Sequence, residues 1–301
     1  MAIDESQLQT WTNAPGTTKP QYTHEQIRKA LEQSVALKNK SFEIYLQGSY
    51  ANSTNIRVDS DVDVVVQLDS TFSPNLSKLT DFEKNIFHLT FSDATYHWAE
   101  FKQDVVNALT SFFGTNSVRL GNKSIKLTGN NLRLNADIIP CLQYRKYSSF
   151  NLSNHSDFVE GMKFWTVREN KEIINYPKVH KKNGEDKNAE HRTDEKYKDL
   201  VRIFKNIRSK LVDDLVFDAK VAPSYFVECA VYNAPDEHFQ DLYELSVESV
   251  LDFFLRKCDA ARLVTASHQH LLFGPEPWQW NTQDAGAFFK AVEDFYNNGS
   301  L

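Results

Sequence analysis

Asp61 and Asp63 stand two residues apart in the run DVDVVV, and a strand places residues of that spacing on one face. Val62, Val64 and Val66 then fall on the other face and can enter a core. The two carboxylates lie about 7 Å apart between Cα atoms, by the rise of a strand. Like charges held that close repel unless a cation sits between them. Hard oxygen ligands select Mg²⁺ or Mn²⁺. A third carboxylate, Asp137, stands in RLNADIIP, where Leu134, Ala136 and Ile138 alternate with Arg133, Asn135 and Asp137. If that strand pairs beside the first, three carboxylates can hold two metal ions per site. Such pairs, about 3.5–4 Å apart, stabilise the attacking and leaving oxygens of phosphoryl transfer.

Phosphate contacts are expected from Gln47, Gly48 and Ser49, which end the strand-like run before the aspartates. Glycine lets backbone amides approach a phosphate closely, and the serine hydroxyl adds a donor. The segment YKDLVRIFKNIRSKL predicts an amphipathic helix over 197–211. Lys198, Arg202 and Lys205 follow one another along a face beside its apolar stripe. They can meet a triphosphate or simply face water. Ser224 and Tyr225, after Pro223, open another helix, either as a cap and core pair or as ligand contacts. Asn175 and Tyr176, before Pro177, form a turn or line a base pocket.

Those residues need a scaffold. Periodicity predicts an irregular lead-in over 1–21, a helix at about 23–39 opened by a Thr23–Gln26 capping box, and a strand over 42–46. A loop to about Asp59, a strand over 61–68 and one or two helices within 81–112 follow. Residues 117–146 read as antiparallel strands broken at Gly121-Asn122 and Gly129-Asn130. The polar stretch 178–194 reads as a mobile loop, and the remainder as mostly helical. The expected fold class is therefore α+β: a mixed sheet with helices over 1–158, and an α-helical lobe over 159–301.

With these residues on the page, a resemblance follows. GSY, DSDVDVVV and ADIIP resemble the pattern of polymerase-β-like nucleotidyltransferases. GSYANSTNIR, IINYPKVH, YKDLVRIFKNIRSKL and PSYFVECAVYN narrow it: the chain resembles the bacterial CD-NTases, relatives of cyclic GMP-AMP synthase and oligoadenylate synthase. The likeness spans about residues 40–235; the first 20 residues and the last 60 carry none of it. It implies two lobes with an active site in the cleft, NTP substrates with ATP among them, Mg²⁺, and pyrophosphate release. A cyclic di- or trinucleotide product would activate a separate effector protein in anti-phage signalling. The resemblance makes Asp61, Asp63 and Asp137 the catalytic metal ligands and Lys205 the triphosphate lysine. It gives Ser224 a phosphate contact and Tyr225 a stacking role. Transfer to a separate acceptor (a small molecule, tRNA or protein) and non-catalytic nucleotide sensing stay open as alternatives.

Composition excludes other classes. A net charge of −6 argues against long RNA or DNA as the main ligand, since backbone affinity comes from lysine and arginine. Three cysteines far apart in the chain fit a reducing, cytoplasmic setting without structural zinc. The first residues lack the pattern of a signal peptide, and no run reaches the length of a membrane span. The chain has no Walker loop, GxGxxG or HExxH motif, and His268-Gln269-His270 lacks zinc-ligand partners.

Overall fold

The computed structural model describes residues 3–16, 18–58, 60–276 and 278–298. The chain groups into two compact units. A sheet unit comprises residues 16–50 and 59–178; a helical unit comprises 1–15, 51–58 and 179–301. The expected boundary at 158/159 is corrected, because two more strands follow it and hydrogen-bond into the sheet.

In chain order the elements are α1 (Glu5–Trp11), α2 (Thr18–Glu32), β1 (Phe42–Gln47), α3 (Gly48–Asn52), β2 (Val62–Asn75), α4 (Asp81–Thr90) and α5 (Trp98–Phe113). Next come β3 (Val118–Leu120), β4 (Ile125–Leu127), β5 (Ala136–Tyr147), β6 (Phe158–Trp165) and β7 (Glu172–Asn175). The rest is helical: α6 (Pro177–Lys187), α7 (Glu190–Thr193), α8 (Lys196–Asp213), α9 (Ser224–Asn233), α10 (Tyr243–Asp252) and α11 (Thr282–Asn298).

In the sheet unit the order runs β1-β2-β5-β4-β3, with β6 on β5 and β7 on β6. β2 and β5 are parallel, and β1–β2, β3–β4, β4–β5, β5–β6 and β6–β7 are antiparallel. Val62, Val64, Val66 and Leu68 project to one face, where Ile27, Leu31, Phe101, Val105 and Leu109 of α2 and α5 bury them. Burying a side chain of this kind contributes about 1.5–3 kcal/mol, so the alternation also fixes the strand's facing. Asp63, Val65 and Gln67 therefore share the opposite face. The expected capping box is absent. α2 begins at Thr18, and Thr23 lies inside it, its hydroxyl donating to Lys19 O at 2.8 Å and accepting Leu134 N–H at 3.0 Å.

The helical unit packs around α8. Tyr197, Leu200, Val201, Phe204, Ile207 and Leu211 are fully buried in its core, as the stripe over 197–211 predicts. The lead-in is not irregular throughout: α1 is capped by Asp4, and Leu8 enters this core. Residues 178–194 are not a loop either. Pro177 sits at the first position of α6, where a missing N–H is harmless. Lys187 and Arg192 both bind Asp236, and Lys187 Nζ donates to Ala234 O at 2.6 Å. The polar stretch that reads as a mobile loop thus includes a buried, ion-paired lysine. In the C-terminal tail Trp280 is buried, stacked on Phe226 and Phe273.

Candidate active site

β1 ends at Gln47, which pairs with Asp63 across the antiparallel β1–β2 ladder. On its other side Asp63 pairs with Asp137 across the parallel β2–β5 ladder. Neighbouring strands lie about 4.8 Å apart, so the two carboxylates stand side by side. Asp61 immediately precedes β2 and is exposed. Burial, then Asp137, then Asp61 raise the Asp63 pKa to about 6, opposed by Lys126. One position is thus half-buried and crowded by like charge, which is the electrostatic condition a cation relieves.

Lys126 was not foreseen. It lies on β4 opposite Asp137 in the register, and its Nζ donates to Asp137 Oδ1 at 3.1 Å. Its signal in the sequence is the alternation Ile125-Lys126-Leu127, whose apolar members are buried. Among the described residues no three His, Cys, Asp or Glu side chains close into a metal cage. Asp63 and Asp137 are adjacent, while the third carboxylate, Asp61, remains turned to solvent. The all-oxygen donor set and the raised Asp63 pKa fit a divalent cation.

Gly48 opens α3 with φ of +68°, a backbone region that disfavours side chains. A Cβ there would come within 2.6 Å of Asp63 Oδ2. Glycine is required at this position both by conformation and by the closeness of the carboxylate. Ser49 follows it, half-buried, on the same short helix. Asn175 ends β7, exposed and paired with Met162, while Tyr176 is buried against Tyr144.

The helical unit holds the remaining candidates. Lys198 is half-buried. Arg202 and Lys205 are not on a solvated face: they are 7% and 3% exposed. Arg202 binds Asp199 and the backbone carbonyls of Thr12 and Ser53. Lys205 Nζ donates to Glu228 Oε2 at 2.7 Å and to Thr54 Oγ1 at 2.9 Å. Ser224 is the first residue of α9 and makes no cap hydrogen bond as an N-cap would; Pro223 occupies that place. Tyr225 is 47% exposed, so it is no core residue. Its ring lies 5.6 Å from that of His180, tilted 35°. Glu228, His180, Asn52 and Thr54, which tie this group together, escaped the sequence reading.

Comparison with known proteins places this arrangement. Residues 24–112 match the nucleotidyltransferase domain family. Residues 182–297 match the cGAS/DncV-like nucleotidyltransferase C-terminal helical domain, which extends the likeness into the last 60 residues. A cyclic nucleotide synthase of Staphylococcus haemolyticus is 40% identical over 99% of both chains. The solved structure of a cyclic UMP-AMP synthase from Rhodothermus marinus, with Apcpp and Upnpp, has a TM-score of 0.90 at 40% identity, covering 99% of this chain and 98% of that one. A cyclic dinucleotide synthase from Elizabethkingia meningoseptica, with GTP and Apcpp, has a TM-score of 0.77 at 32% identity, covering 97% and 98%.

Proposed function

Because this chain belongs to the cGAS/DncV-like nucleotidyltransferase family, we propose that it joins nucleoside triphosphates into a cyclic di- or trinucleotide. The observation that carries this reading is the Asp63–Asp137 pair, in register on parallel strands beside Gly48. Similarity to cyclic nucleotide synthases over nearly the whole chain supports it.

Each bond forms when a ribose hydroxyl oxygen attacks an α-phosphorus. The bond from that phosphorus to its bridging oxygen breaks, and pyrophosphate leaves. The hydroxyl proton is lost to solvent or a nearby base. Further rounds of the same chemistry close the ring, two bonds in all for a dinucleotide and three for a trinucleotide. Positioning and electrostatics supply most of the catalysis in such transfers.

The family depends on divalent metal. Asp61, Asp63 and Asp137 would hold Mg²⁺ or Mn²⁺, two ions per site, and the bound ions would supply charge neutralisation at phosphoryl oxygens. Gln47, Gly48 and Ser49 bind phosphate through backbone and hydroxyl donors. Lys205 contributes charge to the triphosphate, with Lys198, Arg202 and Ser224 as further contacts. Tyr225 offers an exposed ring to a base, where stacking contributes about 1–3 kcal/mol. Exposed Asn175 reads a base edge. ATP is one substrate of the proposed set; both solved relatives carry Apcpp. The product serves bacterial anti-phage signalling by activating a separate effector protein.

The test is incubation with four labelled NTPs and Mg²⁺ or Mn²⁺, without any other acceptor, followed by mass spectrometry. Phosphatase-resistant cyclic products are expected. No joined nucleotide product in the absence of another acceptor, or tight binding with no turnover in either metal, overturns the reading.

A further inference from the structure

Segment 51–58, which leads from α3 to β2, groups with the helical unit rather than with the sheet it feeds. Among the groups that hold it there, beside Arg202 on Ser53 O, is a buried carboxylate. Glu228 lies on α9, one turn after Ser224 and Tyr225, and its side chain is 5% exposed. Both of its oxygens are doubly satisfied. Oε1 accepts from Asn52 Nδ2 at 2.7 Å and faces His180 Nε2 at 2.8 Å. Oε2 accepts from Thr54 Oγ1 and from Lys205 Nζ, each at 2.7 Å.

Thr54 is oriented by the same arrangement. Its hydroxyl donates to Glu228 and accepts from Lys205 at 2.9 Å. The third donor direction of the ammonium meets Thr54 O at only 3.3 Å. Of the three contacts of this buried ammonium, that one is the longest. His180 carries the network to Tyr225, whose exposed ring rests against the imidazole. Burial acts to lower the His180 pKa, but the Cys229 and Glu228 side chains outweigh it and raise it to about 10. The Glu228 carboxyl, which burial alone would raise, is held well below its usual range by Lys205 and then His180.

Stability alone does not account for such a cluster. Apolar residues of similar volume often replace a buried ionic group with no loss of stability. What four hydrogen bonds to one carboxylate do provide is fixed direction for the groups that make them.

We propose that Glu228 is a positioning residue for nucleotide binding: it fixes Lys205, the His180 ring beneath Tyr225, and the Asn52–Thr54 segment that follows Ser49. This rests on the reading above, in which Lys205 and Tyr225 touch the nucleotide.

The experiment uses the full chain and a non-hydrolysable ATP analogue, with KM and kcat measured in parallel. Glu228→Gln keeps the shape but presents an amide to donors. It is expected to weaken analogue binding and raise KM about tenfold, the scale of one charge-assisted hydrogen bond, with kcat changed far less. Thr54→Val removes one link and is expected to weaken binding about threefold, while Thr54→Ser restores it. A merely structural role lowers the melting temperature and leaves the affinity of the folded protein unchanged. That result for Glu228→Gln, or for Thr54→Val should the glutamine variant not fold, overturns the proposal. Lys205→Ala and Tyr225→Ala separate the two levels. Wild-type analogue binding in both removes the nucleotide contacts themselves. Weak binding in both, with wild-type binding in the Glu228 and Thr54 variants, removes only the positioning role.

Discussion

Asp63 sits where three influences meet: partial burial, Asp137 across the ladder and Asp61 two residues before it. Those influences together raise its pKa to about 6, so a negative charge there is costly and a cation beside it would relieve that cost. An uncharged isostere keeps the packing and removes the ligand charge. Asp63→Asn and Asp137→Asn are each expected to cut pyrophosphate release by at least about a hundredfold, since each ligand contributes to several kcal/mol of charge stabilisation. Near-normal release by either variant argues against the metal assignment. Gly48 is constrained from the other direction. Alanine there must adopt a left-handed backbone, at roughly 1–2 kcal/mol, and its Cβ would fall 2.6 Å from Asp63 Oδ2. Gly48→Ala is therefore expected to lower both the melting temperature and the turnover, through displacement of a carboxylate it does not replace. Wild-type turnover would show that the carboxylate moves aside without consequence.

At the scale of elements, what is legible from the chain is what burial enforces. The alternation in DVDVVV and NADII puts Val62, Val64, Val66 and Ile138 against the helices, so the facing of Asp63 and Asp137 follows from the pattern. The register that pairs them does not, because it depends on contacts between distant segments. α6 was illegible for another reason. Its polarity reads as a loop, yet Lys187 and His180 are buried with charged partners, and hydropathy has no way to mark a paired charge. The cluster joining α6, α8 and α9 should be visible in pH. The Glu228 pKa is depressed by folding, so its stabilisation is present above its ordinary value of 4.5 and fades as pH falls below that. The His180 pKa is raised from 6.5 to about 10, so its share is complete below 6.5 and disappears as pH rises through 10. The difference in melting temperature between wild type and Glu228→Gln is thus expected to be largest between pH 4.5 and 6.5. Thermal melts across that range and on either side check this; a difference independent of pH means the pair is not charged as described.

The whole molecule divides its sequence unevenly. Ile3 and Leu8, before and within the first helix, join a core otherwise built from residues after 196, while the segments that follow build the sheet. Leu8 and Leu31 are both fully buried, one in each unit. Truncating either to alanine is expected to cost about 2–5 kcal/mol, set by the cavity left behind. The two variants should nevertheless differ in where they loosen the chain, because local opening follows the packing that was removed. Leu8→Ala is expected to speed amide exchange in α8 and α10, with β2 and β5 protected as in the wild type. Leu31→Ala should do the reverse. Hydrogen exchange read by mass spectrometry on both variants resolves the two patterns. Equal acceleration in β2, β5, α8 and α10 from either change would mean that local opening does not follow the packing that was removed.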